Sequence, residues 1–440
     1  MMKQVRITAA ICALAALGAC ASGSGGGKRT PVLGQRIPIL VAENEIVADK
    51  TLAGVQVIVP LAQMNAAWAQ PGGNASKAMG HLALGEAPTR VWTARIPGNT
   101  SKERMAAAPV VADGKLFAMD TDGAVHAFSA DDGRELWQFE TVKDKENKGA
   151  RFGGGASFDG GRVFATNGLG DVVALNAEDG AEVWRARPGG PLRGSPTIAN
   201  GNVYVVSQDN QLFALNQQTG EVLWFKAATL ESQGVFGVAA PASAQGTVVA
   251  GFSSGELNSY RYENGQSLWS DTLSRTSIST AVSSLSDIDA EPVIDQGRVY
   301  AVGQGGRMVA MELTSGTRLW EQNLASISTP WVAGEWVFLV TDDAKLFCLA
   351  RGSGKIRWIS QLPHYRNEKK KKNPISWVGP VLAGGRLILG NSEGEIVSVA
   401  PADGSVIGKI DLKEKISLTP IVANNMLFVL DEKGRITAFR

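Results

Sequence analysis

Short apolar runs separated by turn residues make up most of the chain. Arg162–Thr166 (RVFAT), Asp171–Asn176 (DVVALN) and Ala181–Arg185 (AEVWR) are three such runs, bounded by Gly, Asn and Asp. Runs of this length, rich in Val, Ile, Leu, Phe and Tyr, predict β-strands joined by tight turns. The same grammar recurs at fixed spacing. In the unit that opens at Pro196, a small residue (Ala214), a glycine (Gly220) and a tryptophan (Trp224) follow in order. Unit starts recur at Pro109, Ala156, Pro196, Pro241, Pro292, Pro330, Pro380 and Pro420. The small column is Ala127, Ala174, Ala214, Ser259, Ala310, Cys348, Ser398 and Ala438. The glycine column is Gly133, Gly180, Gly220, Gly265, Gly316, Gly354 and Gly404. The tryptophan column is Trp137, Trp184, Trp224, Trp269, Trp320 and Trp358, with Gly408 in the seventh place. Repeats of about 40–50 residues indicate a propeller or an array.

Each unit holds three runs, and the stretch after its start residue supplies a fourth. One unit therefore predicts one four-stranded antiparallel blade. The fold class is all-β: an eight-bladed β-propeller whose ring is closed by an N-terminal strand. The eighth unit reaches Arg440 without a closing run. Thr89–Ile96, with the orphan Trp92, is expected to complete that blade and remove the open edges of a linear stack. One irregular unit would leave seven blades. The small column is expected to let neighbouring sheets approach. The indoles, beside turn glycines, are expected to fill the space between blades.

The first residues read as an address. Lys3 and Arg6 precede an apolar run, Ile7–Leu17, too short to span a bilayer as a stable helix. The run ends in Leu17-Gly18-Ala19-Cys20, which resembles the lipobox of bacterial lipoproteins. That resemblance implies cleavage before Cys20, acylation of Cys20 and, with Ala21 following, sorting to the outer membrane. The expected organisation is a signal peptide over 1–19, a lipidated cysteine and flexible tether over 20–36, an N-terminal extension over 37–88 and the propeller over 89–440. Within the extension, Leu52–Pro60 is a candidate edge strand, and Ala62–Ala87 is expected to be irregular.

Composition narrows the function. Hydrophobic residues make up 44% of the 440, charged residues 19%, and the net charge is +1. A disordered chain is more polar, a multi-span membrane protein far more apolar, and a nucleic-acid binder needs a basic footprint. Of three cysteines, Cys12 lies in the signal and Cys20 in the lipobox, so only Cys348 remains and no intramolecular disulfide is expected. The three histidines, His81, His126 and His364, show no metal-binding spacing. No Gly-x-Ser-x-Gly elbow is present, and the glycine runs precede strands rather than helices, so no phosphate cradle is expected.

The repeat columns resemble those of pyrroloquinoline quinone (PQQ) enzymes. With the lipobox, eight units and length, the whole chain more specifically resembles the BamB family of outer-membrane assembly lipoproteins. That resemblance implies a non-catalytic scaffold of the β-barrel assembly (BAM) complex, without cofactor or metal. It is expected to bind BamA, act alongside the other BAM subunits and assist unfolded outer-membrane proteins. Its body is expected to face the periplasm. The stretch Leu285-Ser286-Asp287-Ile288-Asp289 is similar to the family's acidic BamA-binding stretch, which assigns that role to Asp287 and Asp289 on a loop rim. Val235 and Phe236 match the apolar half of that surface, with no arginine beside them. A solvated acidic loop and a tucked-in Phe236 are the competing readings. Lys369–Lys372 is either a solvated loop or a contact for phosphate or acidic groups. A PQQ dehydrogenase and an envelope-binding module are the alternative functions.

Overall fold

The structure is a computed structural model and describes residues 46–143, 147, 153–192, 194–230, 239–273 and 287–440. Among these, eight four-stranded antiparallel sheets follow one another as the blades of a propeller. Blades 1–8 have innermost strands at Val110–Ala112, Ala156–Asp159, Thr197–Ala199, Ala242–Ala244, Val293–Asp295, Trp331–Ala333, Trp377–Ala383 and Ile421–Ala423. The predicted run Arg162–Thr166 is the second strand of blade 2, and Arg90–Arg95 is the outermost strand of blade 8. Apolar clusters combine residues of adjacent blades, so the core is a ring of inter-blade seams.

The columns acquire a geometry that differs in one respect from expectation. Where a blade has its tryptophan, the small residue lies directly across the ladder from it: Ala127 opposite Trp137, Ala214 opposite Trp224, Cys348 opposite Trp358, whereas Ser398 faces Gly408. Ala438 pairs likewise with Trp92, joining the two ends of the propeller chain. The residue is small because an indole leaves its cross-strand partner little room, not only because sheets approach.

The indole reaches the next blade. Trp224 Nε1 donates to the Tyr262 carbonyl at 3.0 Å, and Trp92, Trp137, Trp184, Trp269, Trp320 and Trp358 donate equivalently at 2.8–3.1 Å. The ring then lies on that blade's column glycine. A Cβ on Gly220, which adopts φ +75°, would stand 2.5 Å from the Trp184 ring. Gly408 explains itself in this light. The next blade is blade 8, whose outermost strand comes from the other end of the propeller. It therefore has no third-to-fourth turn to offer a carbonyl and a glycine, and an indole at 408 would have no dock.

Ile46–Arg440 forms one compact unit, which includes the described part of the extension. Leu52–Pro60 does not add an edge strand. After a short 3-10 turn at Lys50–Leu52, this stretch crosses blade 6 rather than running along it. The Asp49 N–H bonds the Ile356 carbonyl on the outermost strand at 2.7 Å, Arg357 Nε donates to the Val55 carbonyl, and Pro60 lies against Gly334.

Asn65–Leu82 is irregular in the sense that it contains no strand, but it circles the ring's centre and bonds every blade. Asn65 Nδ2 donates to the Val422 carbonyl in blade 8 at 2.7 Å. Trp68 exchanges backbone bonds with Val111 in blade 1, and the Ala69 carbonyl accepts from Phe158 in blade 2. The Gln70 amide brackets Ile198 in blade 3 at 2.9 and 3.0 Å. The Ala75 and Ser76 carbonyls accept from Ser243 in blade 4 and Ile294 in blade 5, both at 2.8 Å. Gly80 accepts from the Trp331 indole of blade 6, and Leu82 bonds Leu382 of blade 7. The innermost strands would otherwise leave polar backbone groups unpaired along the channel, and this segment satisfies them.

Trp224→Ala is expected to cost about 3–5 kcal/mol through lost packing, lowering the midpoint of denaturant unfolding. Gly220→Ala should also lower it, because its Cβ would strike Trp184. Gly408→Trp should leave it unchanged within roughly 0.5 kcal/mol. A clear stabilisation by Gly408→Trp would refute the docking account.

Candidate functional site: the connection face and the central cavity

Strand direction alternates within a blade. The turn between its second and third strands therefore shares a face with the connection to the next blade. These connections differ in length while the blades do not, and varied loops on a rigid frame are where binding concentrates. The longest runs from Trp269 to Pro292.

Its described end, from Asp287, threads between the turns of blades 4 and 5. The Ile288 N–H donates to the Phe252 carbonyl at 3.2 Å, and the Gln304 N–H to the Asp287 carbonyl at 2.8 Å. Ile288 is buried in the space left by the missing side chains of Gly251 and Gly303. This apolar wedge fixes the direction of the flanking acids. Asp287 is 1% exposed. Asp289 is half-buried and lines a central cavity, together with Glu291. The three carboxylates therefore do not form the open acidic rim that the sequence suggested. They descend from the connection into the ring.

The cavity has a volume of about 250 Å³ and is lined by Trp68, Lys77, Ser195, Asp289, Glu291 and Trp331 among others. Trp68 and Trp331 stack with centroids 6.0 Å apart. Lys77, from the encircling segment, is 2% exposed and donates to Thr197 Oγ1 at 3.1 Å. Burial lowers its pKa to about 8, opposed by the charge of Glu291. Burial raises the Glu291 pKa, opposed by Lys77. The Asp289 carboxyl is pushed up to about 7, first by desolvation and then by the like charges of Asp287 and Asp342. Its Oδ2 is buried without a hydrogen bond.

Other sequence candidates lie elsewhere. Val235, Phe236 and Cys20 fall outside the described residues. His126 sits in blade 1, with Nε2 2.8 Å from Asp120 and Nδ1 3.4 Å from Glu135. Burial opposes its charged form, but the two carboxylates outweigh that and raise its pKa. Cys348 is buried opposite Trp358, and desolvation pushes its thiol far up, away from the reactive thiolate. No three His, Cys, Asp or Glu side chains converge as a metal site among the described residues. No helix among them is long and apolar enough to cross a membrane.

A family model described as outer membrane protein assembly factor BamB matches residues 89–149, 121–360 and 366–440. The chain belongs to the BamB family. The BamB of Escherichia coli K12 is 29% identical over 392 residues, covering 79% of this chain and 88% of that protein. The BamB of Yersinia pestis is 27% identical over 357 residues, covering 80% and 88%. That of Vibrio cholerae is 36% identical over 256 residues, covering 58% and 65%. The crystal structure of BamB from Moraxella catarrhalis aligns with TM-score 0.67 at 20% identity, covering 80% of this chain and all of that one. A quinohemoprotein alcohol dehydrogenase from Comamonas testosteroni aligns with TM-score 0.66 at 12% identity, covering 86% of this chain and 81% of that one, a likeness of fold alone. The BamB match begins at residue 89, so the segment that encircles the channel lies outside it.

Sequence reasoning counted Glu291 with Asp287 and Asp289 as one acidic cluster, and missed Lys77 and the wedge role of Ile288. Lys77 lies in a stretch with no periodicity. Only the glycines at 251 and 303, both at the end of a second strand, hinted at a seat for an incoming side chain.

Because the folded state holds the Asp289 proton more tightly than the unfolded chain, this carboxyl destabilises the fold progressively as pH rises from about 4 to about 7. Asp289→Asn should therefore raise the melting temperature at pH 8 and leave it nearly unchanged at pH 4. An equal gain at both pH values would contradict the assignment.

Proposed function

We propose that this BamB-family chain is a non-catalytic scaffold of the outer-membrane β-barrel assembly complex. In this reading Cys20 carries the lipid anchor and the propeller faces the periplasm. The connection face binds BamA, bringing it close to unfolded barrel substrates. The observation that carries the reading is the match of the BamB model across the blades of the propeller. The rigid ring with unequal connections on one face supports it, because such a frame holds a binding surface in place without itself reacting. Within that face, the connections holding Val235 and Phe236 and ending at Asp287–Glu291 are neighbours, since they precede blades 4 and 5. Asp289 is the carboxylate we assign to direct polar contact. Asp287, buried two residues before it, belongs to the same connection.

A basic partner group brought against Asp289 would relieve the cost of its buried charge. Binding should therefore be coupled to loss of the Asp289 proton. The assembly reading as a whole rests on recovery of partners. Tagged full-length protein, purified from gently solubilised outer membranes, should carry BamA with it. Asp289→Asn should reduce that recovery without altering the fold. Recovery unchanged by Asp289→Asn would move the contact elsewhere on the face. Absence of BamA even after crosslinking would refute the assembly role.

A further inference from the structure

Between blades 6 and 7 the chain leaves the ring and builds a hairpin of its own. Tyr365–Asn367 pairs with Lys372–Pro374, and a 3-10 turn at Glu368–Lys370 forms the tip. The tip has a defined shape. The Asn367 side chain accepts from the Lys370 N–H at 3.0 Å, and Lys371 (φ 48°) and Asn373 (φ 58°) adopt left-handed conformations. The base is seated firmly. Buried Trp377 donates its indole N–H to the Pro363 carbonyl at 2.9 Å, and the Ile375 N–H bonds the His364 carbonyl. The rings of His364 and Tyr365 stack 4.1 Å apart at this base.

Four consecutive lysines, Lys369–Lys372, are exposed on the tip. The nearest carboxylates are also committed to other groups, although Glu368 feels the charge of Lys371. Glu368 accepts the backbone N–H groups of His364 and Tyr365 at 3.0 Å each, bonds that hold its carboxyl below the usual range. Glu393 takes two bonds from the Arg366 guanidinium at 2.8 Å each. Among the described residues none of the four lysines forms an ion pair. The result is a rigid projection that concentrates positive charge at its end.

We propose that this hairpin docks the propeller onto the anionic phospholipid headgroups of a bilayer. Three features favour a lipid surface over an acidic protein. The charge is carried by adjacent residues on a tight turn, without a pocket or a buried apolar anchor of the kind that centres protein interfaces. Long exposed lysines suit a diffuse, laterally mobile layer of phosphates. The position also fits. The start of the described chain packs on blade 6, through Asp49 with Lys355 and Ile356, and the outermost strand of that blade, Ile356–Gln361, leads into the hairpin. A lipid on Cys20 and the lysines would then restrain the same blade. Two weak membrane signals hold far better than one. This last point alone rests on the lipid anchor of the proposed function. The headgroup contact stands without it.

The test separates the two. Chain starting at residue 20 and carrying Cys20→Ser, so that neither the apolar leader nor a lipid is present, is floated with vesicles of phosphatidylethanolamine and phosphatidylglycerol, and with vesicles of phosphatidylcholine alone. Binding should favour the anionic vesicles and fall steeply as salt is raised. Each lysine near an anionic surface contributes roughly fivefold to partitioning. Lys369→Gln, Lys370→Gln and Lys372→Gln combined should therefore lower binding by at least about tenfold. Arginine at the same three positions should restore it. Lys371 is left in place, so the left-handed turn is undisturbed. Equal binding to both vesicle types, or glutamine and arginine variants that bind alike, would overturn the proposal. The first of these is the result expected if the lysines serve an acidic protein instead.

Discussion

The ring depends on one repeated contact, the indole of one blade set on the turn of the next. The contact has three parts that constrain each other. A small residue across the ladder lets the indole lie down, a carbonyl of the following blade takes its N–H, and a glycine beneath gives room for the ring. Hydrogen bonding makes the contact directional, which bare apolar packing is not. Repeated from Trp92 through Trp358, it sets how each blade meets the next, and the number of blades follows from how such steps close. The one seam without it, between blades 7 and 8, is where the chain's two ends meet. Within blade 8 itself, strand pairing of Trp92 with Ala438 replaces the missing covalent turn.

This explains what the sequence made legible. Each part of the contact needs a particular residue type at a particular spacing, so eight units stand out as columns without reference to structure. The break at Gly408 was visible too, though its cause lay in topology rather than in the residue. The encircling segment was opaque for the opposite reason. Asn65–Leu82 takes its conformation from the inner edges of eight blades, one to three bonds from each. No internal period results, and it reads as an irregular stretch. The acidic connection was legible in composition but not in direction. Asp287 and Asp289 turn inward because Ile288 fills a gap between glycines that belong to two other blades. Nothing within the connection itself announces those glycines.

The central cavity gathers the groups that the rest of the fold keeps at its surface. Lys77, Asp289 and Glu291 are all drawn away from water, and each is shifted toward its neutral form. A ring of eight blades has more room at its axis than its innermost strands can fill. Here the extension fills most of it and brings a lysine to balance the carboxylates. The connection that carries Asp287 and Asp289 runs on through Glu291 to the innermost strand of blade 5, Val293–Asp295.

The encircling segment also sets the order in which the molecule can be completed. Asn65 is bonded to Val422, 357 residues further along the chain. No single blade can satisfy that segment, because its partners are spread from blade 1 to blade 8. Blades can form one after another from local turns, but the axis and the pairing of Arg90–Arg95 wait for blade 8. Such widely separated contacts slow folding and lengthen the time during which strand edges stand open. A ring built in this way stays open until the strands of blade 8 are in place.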